Sequence, residues 1–179
     1  VAPLGEGGMA TVHVARRDGD PRVGVLKQLH RELAQHEETR RRFHREAHIA
    51  SFLEHPNIAR VIDAGVEEGV FCIALEFIAG QTVEQMVKAA RARGGTLPFE
   101  VSVHVALQAL EALEHAHALV DPAGEPLGLV HRDLSPRNLM VGYDGRAKII
   151  DFGIAKGRVD DHRTAAGVLM GTPYYMSPE

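Results

Sequence analysis

HRDLSPRNLMVGYDGRAKIIDFG, residues 131–153, carries two short apolar runs, Leu139–Val141 and Ala147–Ile150, on either side of Asp144-Gly145. An Asp-Gly dipeptide between such runs predicts a tight two-residue hairpin turn. That turn pairs Val141 with Lys148 and, at the open end, Asn138 with Asp151, whose Cβ atoms lie about 5 Å apart if the ladder extends so far. Two hard oxygen ligands then converge, the donor set that suits magnesium when substrate phosphates and water complete its shell. Asp133, just upstream, adds a carboxylate of the kind that accepts a proton from a hydroxyl nucleophile. A solvated hairpin end is the plain reading of one Asn and one Asp, and the rest of the sequence argues against it.

Working outward, Leu4-Gly5-Glu6-Gly7-Gly8-Met9-Ala10-Thr11-Val12 opens the chain. A dinucleotide-binding turn must lead into a helix, whereas Thr11–Ala15 alternates apolar and polar residues with β-branched side chains and reads as a strand. Glycines at 5, 7 and 8 allow the backbone to approach a phosphate and present its N–H groups. No Gly-Lys-Ser/Thr follows, which excludes a Walker loop. Val23–Leu26 is an apolar strand pattern ending in Lys27, whose stem would be buried with the ammonium facing outward. Residues 31–54 place Leu33, Phe43, Ala47, Ala50 and Leu53 at helical spacing, with Glu46 near the apolar stripe. A carboxylate so placed calls for a cation.

These segments together resemble a protein kinase of the eukaryotic-like Ser/Thr type found in bacteria. The motifs run in order: the glycine-rich loop, GVLK ending at Lys27, Glu46 in a helix, HPNI at 55–58, HRDLSPRN, DFG at 151–153 and GTPYYMSPE at 171–179. The resemblance implies an α/β (α+β), two-lobed fold: an antiparallel N-lobe with one helix over residues 1–79, and a mainly helical C-lobe over 80–179 that is incomplete. Val1 falls inside the first strand and Glu179 ends the activation segment, so a longer enzyme truncated at both ends is expected.

The resemblance also implies the site. ATP would lie between the lobes, its phosphates under Leu4, Gly5, Glu6, Gly7, Gly8, Met9, Ala10 and Val12. Lys27, held by Glu46, would meet the α- and β-phosphates. Glu76 and Ile78 would offer hinge backbone groups to adenine, with Leu75 as gatekeeper and Met140 as pocket floor. Asp133 would be the catalytic carboxylate, and Asn138 and Asp151 would hold Mg²⁺. Ala10 stands where the family has its third glycine, which keeps the close approach but stiffens the loop.

Ser135 is the larger departure, standing where Ser/Thr kinases carry a lysine for the γ-phosphate. Arg137 falls where tyrosine kinases place an arginine with that role, and a guanidinium supplies the charge in fork geometry. Arg137 is therefore expected to replace the lysine. Gly171-Thr172-Pro173 and Pro136 lean towards Ser/Thr substrates, Arg137 the other way. Between DFG and Gly171 the one hydroxyl is Thr164, expected as an activating autophosphorylation site, a plain loop threonine being the alternative. The expected activity is transfer of the γ-phosphoryl group of ATP to protein serine or threonine. A pseudokinase, motivated by Ser135, and a small-molecule phosphotransferase are the alternatives. Intact Lys27, Glu46, Asp133, Asn138 and Asp151 oppose the first, and the full activation segment opposes the second.

Composition fits without deciding. The 179 residues are 45% hydrophobic and 25% charged with net charge −4, which is ordinary globular protein without the basic field that nucleic acid or anionic membrane attracts. A single cysteine, Cys72, excludes an internal disulfide and reads as a small buried hydrophobe in a reducing compartment. No apolar span of about 20 residues appears, and a cytoplasmic domain is expected, with any membrane anchor lying elsewhere. Val101–Ala118 is a helix whose buried face is read as Val105, Leu107, Leu110 and Leu113. His44 and His48 stand four residues apart as in a zinc helix, but Glu46 falls one place too late for HExxH and no third ligand is evident. Asp121–Gly128 reads as an inserted turn.

Overall fold

The structure is a computed structural model that describes residues 1–7, 10–34, 37, 41, 47–67, 69–121, 123–131, 133–152 and 175. Its contacts divide the chain into two compact units. The first takes Val1–Glu54 and Ala59–Phe77, and the second begins at Ile78 and also takes His55–Ile58.

The first unit is built on a five-stranded sheet: β1 (Ala2–Glu6), β2 (Ala10–Arg16), β3 (Val23–Leu29), β4 (Val61–Glu67) and β5 (Val70–Glu76). Their spatial order is β1-β2-β3-β5-β4 with every neighbour antiparallel. The alternation read at residues 11–15 becomes the middle of β2, and the apolar run ending at Lys27 becomes β3. Leu4 is the bulged residue of β1, since pairing shifts between Pro3 and Gly5. A short helix, α1 (Arg31–Ala34), follows β3, and residues 47–50 are helical. Leu29, Ala47, Val70 and Ile73 form a buried cluster packed by Val61, Phe71 and Leu75. Cys72 is buried on β5, and burial pushes its thiol above the ordinary value, so it is a packing residue rather than a nucleophile.

The second unit holds a three-stranded sheet, β6 (Gly80–Thr82), β7 (Leu139–Gly142) and β8 (Ala147–Ile149), in the order β6-β7-β8. Gly80 has no room for a side chain: a Cβ there would run into the Val141 carbonyl oxygen. Helix α2 (Val83–Ala92) starts with a capping box in which Thr82 and Gln85 satisfy each other's backbone N–H. Helix α3 (Phe99–His117) buries Val105, Ala109, Ala112 and Ala116. This corrects the expected face, because Leu107 and Leu110 are exposed. The three alanines, spaced along one stripe, allow a close approach that leucines would hold off. Asp121 closes the inserted turn by accepting N–H bonds from Ala123 and Glu125 on Oδ1. No described helix is long and apolar enough to cross a membrane.

Candidate active site

The β7–β8 hairpin forms as expected but with a register one residue away from the expected one. Leu139 pairs with Ile149, Met140 with Lys148 and Val141 with Ala147. The reason is the loop. Gly145 N–H donates to the Gly142 carbonyl and Gly142 N–H to the Arg146 carbonyl, each at 2.9 Å, so Tyr143, Asp144 and Gly145 all lie in the turn. Gly145 takes φ +83°, the left-handed conformation that ends a three-residue hairpin loop. Asp144 Oδ1 stiffens it by accepting from Arg146 N–H at 3.1 Å. At the open end Ile150 N–H donates to the Asn138 carbonyl at 3.0 Å. Asn138 therefore faces Ile150, and Asp151 stands one step further along instead of directly opposite.

Upstream of β7 the chain folds back on itself. Asn138 N–H donates to the Ser135 carbonyl at 2.9 Å, and the Asn138 side-chain Nδ2 donates to the Asp133 carbonyl at 2.8 Å with Asp133 Oδ2 at 3.4 Å. With Nδ2 so committed, Oδ1 is left as the acceptor end of the amide. Asp133 N–H in turn donates to His131 Nδ1 at 3.3 Å. The buried His131 ring lies 4.8 Å from the Phe152 ring, centroid to centroid, so the HRD and DFG segments pack on one another. The first turn of α2 reaches the same loop: Glu84 N–H donates to the Pro136 carbonyl at 3.0 Å, using one of the amides a helix start leaves open.

Ser135 is buried, and its Oγ has no hydrogen-bond partner among the described residues. Arg137 is exposed. The serine thus points into the protein, while the side chain two residues on reaches outward.

A second tie fixes the hairpin from behind. Asn57, buried within the HPNI segment, donates from Nδ2 to the Ala147 carbonyl at 2.8 Å and to Gln108 Oε1 at 2.6 Å. Gln108 Oε1 also accepts from Ala147 N–H at 2.9 Å, and Ile149 N–H donates to the Asn57 carbonyl at 2.9 Å. Beside them His55 stacks on His115 of α3 at 5.1 Å between centroids. The HPNI motif marked Asn57 in the sequence; nothing local marked Gln108.

In the first unit, Gly7 N–H donates to the Ala10 carbonyl at 2.9 Å and closes the turn between β1 and β2. Ala10 is buried, Val12 half-buried, and Leu4, Gly5, Glu6 and Gly7 are exposed. Lys27 pairs with Val12 on one side and Ile73 on the other. Cross-strand partners share a face, which sets Lys27 beside the strand leaving the glycine loop. Glu76 exchanges two bonds with Arg60, giving its N–H to the Arg60 carbonyl and accepting Arg60 N–H on Oε1, each at 2.9 Å. Leu75 lies on β5 and Met140 on β7, both half-buried, and Ile78 follows two residues after β5. Gly8, Met9, Glu46 and Thr164 lie outside the described residues.

Among the described residues no group of three or more His, Cys, Asp or Glu is gathered to hold a metal ion. Asn138 Oδ1 and the half-buried Asp151 carboxylate are hard oxygen donors at one end of the hairpin. That set fits a divalent ion that takes the rest of its shell from phosphate and water.

The protein kinase domain family matches residues 1–179. The chain belongs to the protein kinase domain family. Among curated relatives, a tyrosine-protein kinase, MasK, of Myxococcus xanthus is 37% identical over the whole chain, which spans 28% of that protein. The serine/threonine-protein kinase pkn3 of Myxococcus xanthus is 42% identical over 99% of the chain and 32% of its own length. PrkC of Bacillus subtilis, a serine/threonine-protein kinase, is 34% identical over 98% of the chain and 25% of its own length. The chain thus spans about a quarter to a third of these relatives. The crystal structure of the PknI kinase domain of Mycobacterium tuberculosis superimposes with a TM-score of 0.68 at 34% identity, over 86% of this chain and 57% of that one. Members of this family use ATP and a divalent metal ion, and the antiparallel sheet of the first unit is the family's smaller lobe.

Proposed function

We propose that this chain is the catalytic domain of a protein kinase that transfers the γ-phosphoryl group of ATP to serine or threonine hydroxyls of proteins. The observation that carries the reading is the joined HRD–Asn–DFG arrangement, in which Asn138 holds Asp133 and His131 packs on Phe152. Asp133 accepts the proton of the substrate hydroxyl, and its position is what the loop around it maintains. Phosphoryl transfer asks the protein mainly for positioning and charge balance. Lys27 serves the α- and β-phosphates, with Glu46 as its partner. Leu4–Val12 is the segment we assign to the phosphates, and Glu76, Ile78 and Met140 are the residues we assign to the adenine. Asn138 and Asp151 are the residues for Mg²⁺, which when bound neutralises charge on the phosphates. Arg137 supplies the charge that Ser135 cannot, aimed at the γ-phosphate. Thr164 is the residue we assign to autophosphorylation, and a cytoplasmic site of action goes with these substrates.

A second reading, tyrosine as acceptor, is favoured by Arg137 and by the similarity to the tyrosine-protein kinase MasK. Gly171-Thr172-Pro173 and Pro136 favour serine and threonine. The experiment is to incubate the full-length protein, alongside Asp133→Asn, with labelled ATP and Mg²⁺, and then to identify the phosphoamino acid. Phosphothreonine or phosphoserine in the wild type alone is the expected result. Phosphotyrosine would move the second reading forward, and no label despite ATP binding would replace both with a pseudokinase.

A further inference from the structure

One peptide of the glycine loop has a partner from outside the loop. The Gly7 carbonyl oxygen lies 2.9 Å from Nε2 of His30, 23 residues downstream. His30 follows the last residue of β3 and stands three positions beyond Lys27. Since a carbonyl oxygen only accepts, Nε2 carries the hydrogen, as it does in the Nε2–H tautomer and in the cation.

This contact answers a physical problem of the loop. Glycine gives the backbone close approach at the cost of conformational freedom. Among the described residues a Cβ at Gly5 would meet nothing within 4 Å, and one at Gly7 would meet only the Ala10 carbonyl at 3.5 Å, so their side-chain packing does not restrict the loop there. The Gly7 N–H is tied to Ala10 within the hairpin. His30 ties the other polar group of the same residue to the end of the strand that carries Lys27. A loop fixed before its ligand arrives loses less freedom when it binds.

We propose that His30 is a positioning residue for the nucleotide, acting through the Gly7 carbonyl to hold the entry of the glycine loop in its phosphate-covering conformation. The inference rests on the reading of Leu4–Val12 as the loop that covers the phosphates of ATP. His30 acts only through the Gly7 carbonyl, without touching nucleotide or reacting atoms.

The test compares full-length wild type, His30→Ala and His30→Gln, the glutamine keeping an N–H donor at similar reach. Nucleotide affinity is measured by titration with a fluorescent methylanthraniloyl ATP analogue, and turnover by initial rates at saturating and subsaturating ATP. Hydrogen exchange over residues 5–12 is followed without nucleotide. His30→Ala is expected to weaken the analogue's binding, and to raise KM for ATP, about three- to tenfold, the equivalent of roughly one net hydrogen bond. The same variant exchanges faster over the loop, while kcat stays within about twofold because no interaction specific to the transition state is lost. His30→Gln recovers most of the affinity and the slow exchange. Analogue bound equally well by all three proteins overturns the inference alone, as does equal weakening in both variants, which would point to ring volume rather than the donor. A wild type that takes up no analogue overturns the phosphate-loop reading and this inference with it.

Discussion

Asn138 fastens Asp133 by its side-chain amide, with Nδ2 2.8 Å from the Asp133 carbonyl oxygen and 3.4 Å from Oδ2. In the proposed function one residue is thereby asked for two things, a donor to the Asp133 carboxylate assigned to receive the proton and an oxygen for the metal. Asn138→Ala should lower kcat by about 10²- to 10³-fold, the usual cost of one preorganised polar group in such a site. Asn138→Asp should do no better, because it exchanges the donor for a second carboxylate beside Asp133. Single-turnover phosphoryl transfer at saturating ATP measures both, and a turnover within tenfold of wild type would remove Asn138 from the machinery.

Ser135 and Arg137 should respond in opposite ways. The Ser135 hydroxyl is buried with no partner among the described residues, so Ser135→Ala should leave turnover unchanged and stability equal or higher by up to about 1 kcal/mol. Arg137→Ala should lower kcat/KM about 10²- to 10³-fold. Steady-state kinetics and urea denaturation of the two variants, run side by side, check the pair. Undiminished turnover in Arg137→Ala would show that the charge comes from elsewhere.

Asn57 lies far from the reacting groups in sequence, yet its Nδ2 bonds fix Ala147 and Gln108. Asn57→Ala takes the Nδ2 donor from the Ala147 carbonyl in a buried setting, while Gln108 Oε1 keeps its bond from Ala147 N–H, a loss of about 1–3 kcal/mol. Hydrogen exchange at the amides of Leu139–Ile149 should then speed up roughly five- to 150-fold. Gly145→Ala should loosen the same hairpin by about 1–2 kcal/mol, since alanine must adopt φ +83°.

The pair His55 and His115 gives the second unit a sensitivity to acid. Burial, then the neighbouring His115, pushes His55 below its ordinary 6.5, with Lys148 acting in the same direction and Glu111 against it. His55 Nδ1 already accepts the Asn57 N–H at 3.1 Å, so protonation there breaks a bond as well as charging a half-buried ring. The unfolded chain takes up the proton more readily than the folded one. The stability that depends on neutral His55 is therefore complete above pH 6.5 and is lost as the pH falls below it. Thermal unfolding between about pH 8 and about pH 5.5 should show this loss, and a His55→Leu variant should show a shallower fall over the same interval. Identical slopes would exclude His55 as its source.

What the sequence revealed, and what it hid, follows from how far each interaction reaches. The strands around Thr11–Ala15 and Lys27 were legible because alternation is a local signal, and Asp133, Asn138 and Asp151 stand in motifs that need no tertiary information. The hairpin register was missed by one residue because Asp144-Gly145 suits two loop lengths, either as a two-residue turn or as the end of a three-residue one with glycine left-handed. The buried face of α3 was misread by weighting large side chains, whereas packing at close range selected Ala109, Ala112 and Ala116. Gln108 reaches Ala147 across 39 residues and His30 reaches Gly7 across 23. Neither contact has a local pattern, and both became visible only with the backbone in place.

Asn57 also bears on the order in which the chain folds during synthesis. The segment His55–Ile58 is made between two stretches of the first unit but packs within the second, and Asn57 meets Ala147 only across 90 residues. At about 5–20 residues per second those residues take on the order of ten seconds to emerge. Throughout that interval the nascent chain carries Ile58, buried at 2% exposure in the folded protein, with its Ile149 partner not yet made. A delay in translation between residues 58 and 147 would lengthen its exposure.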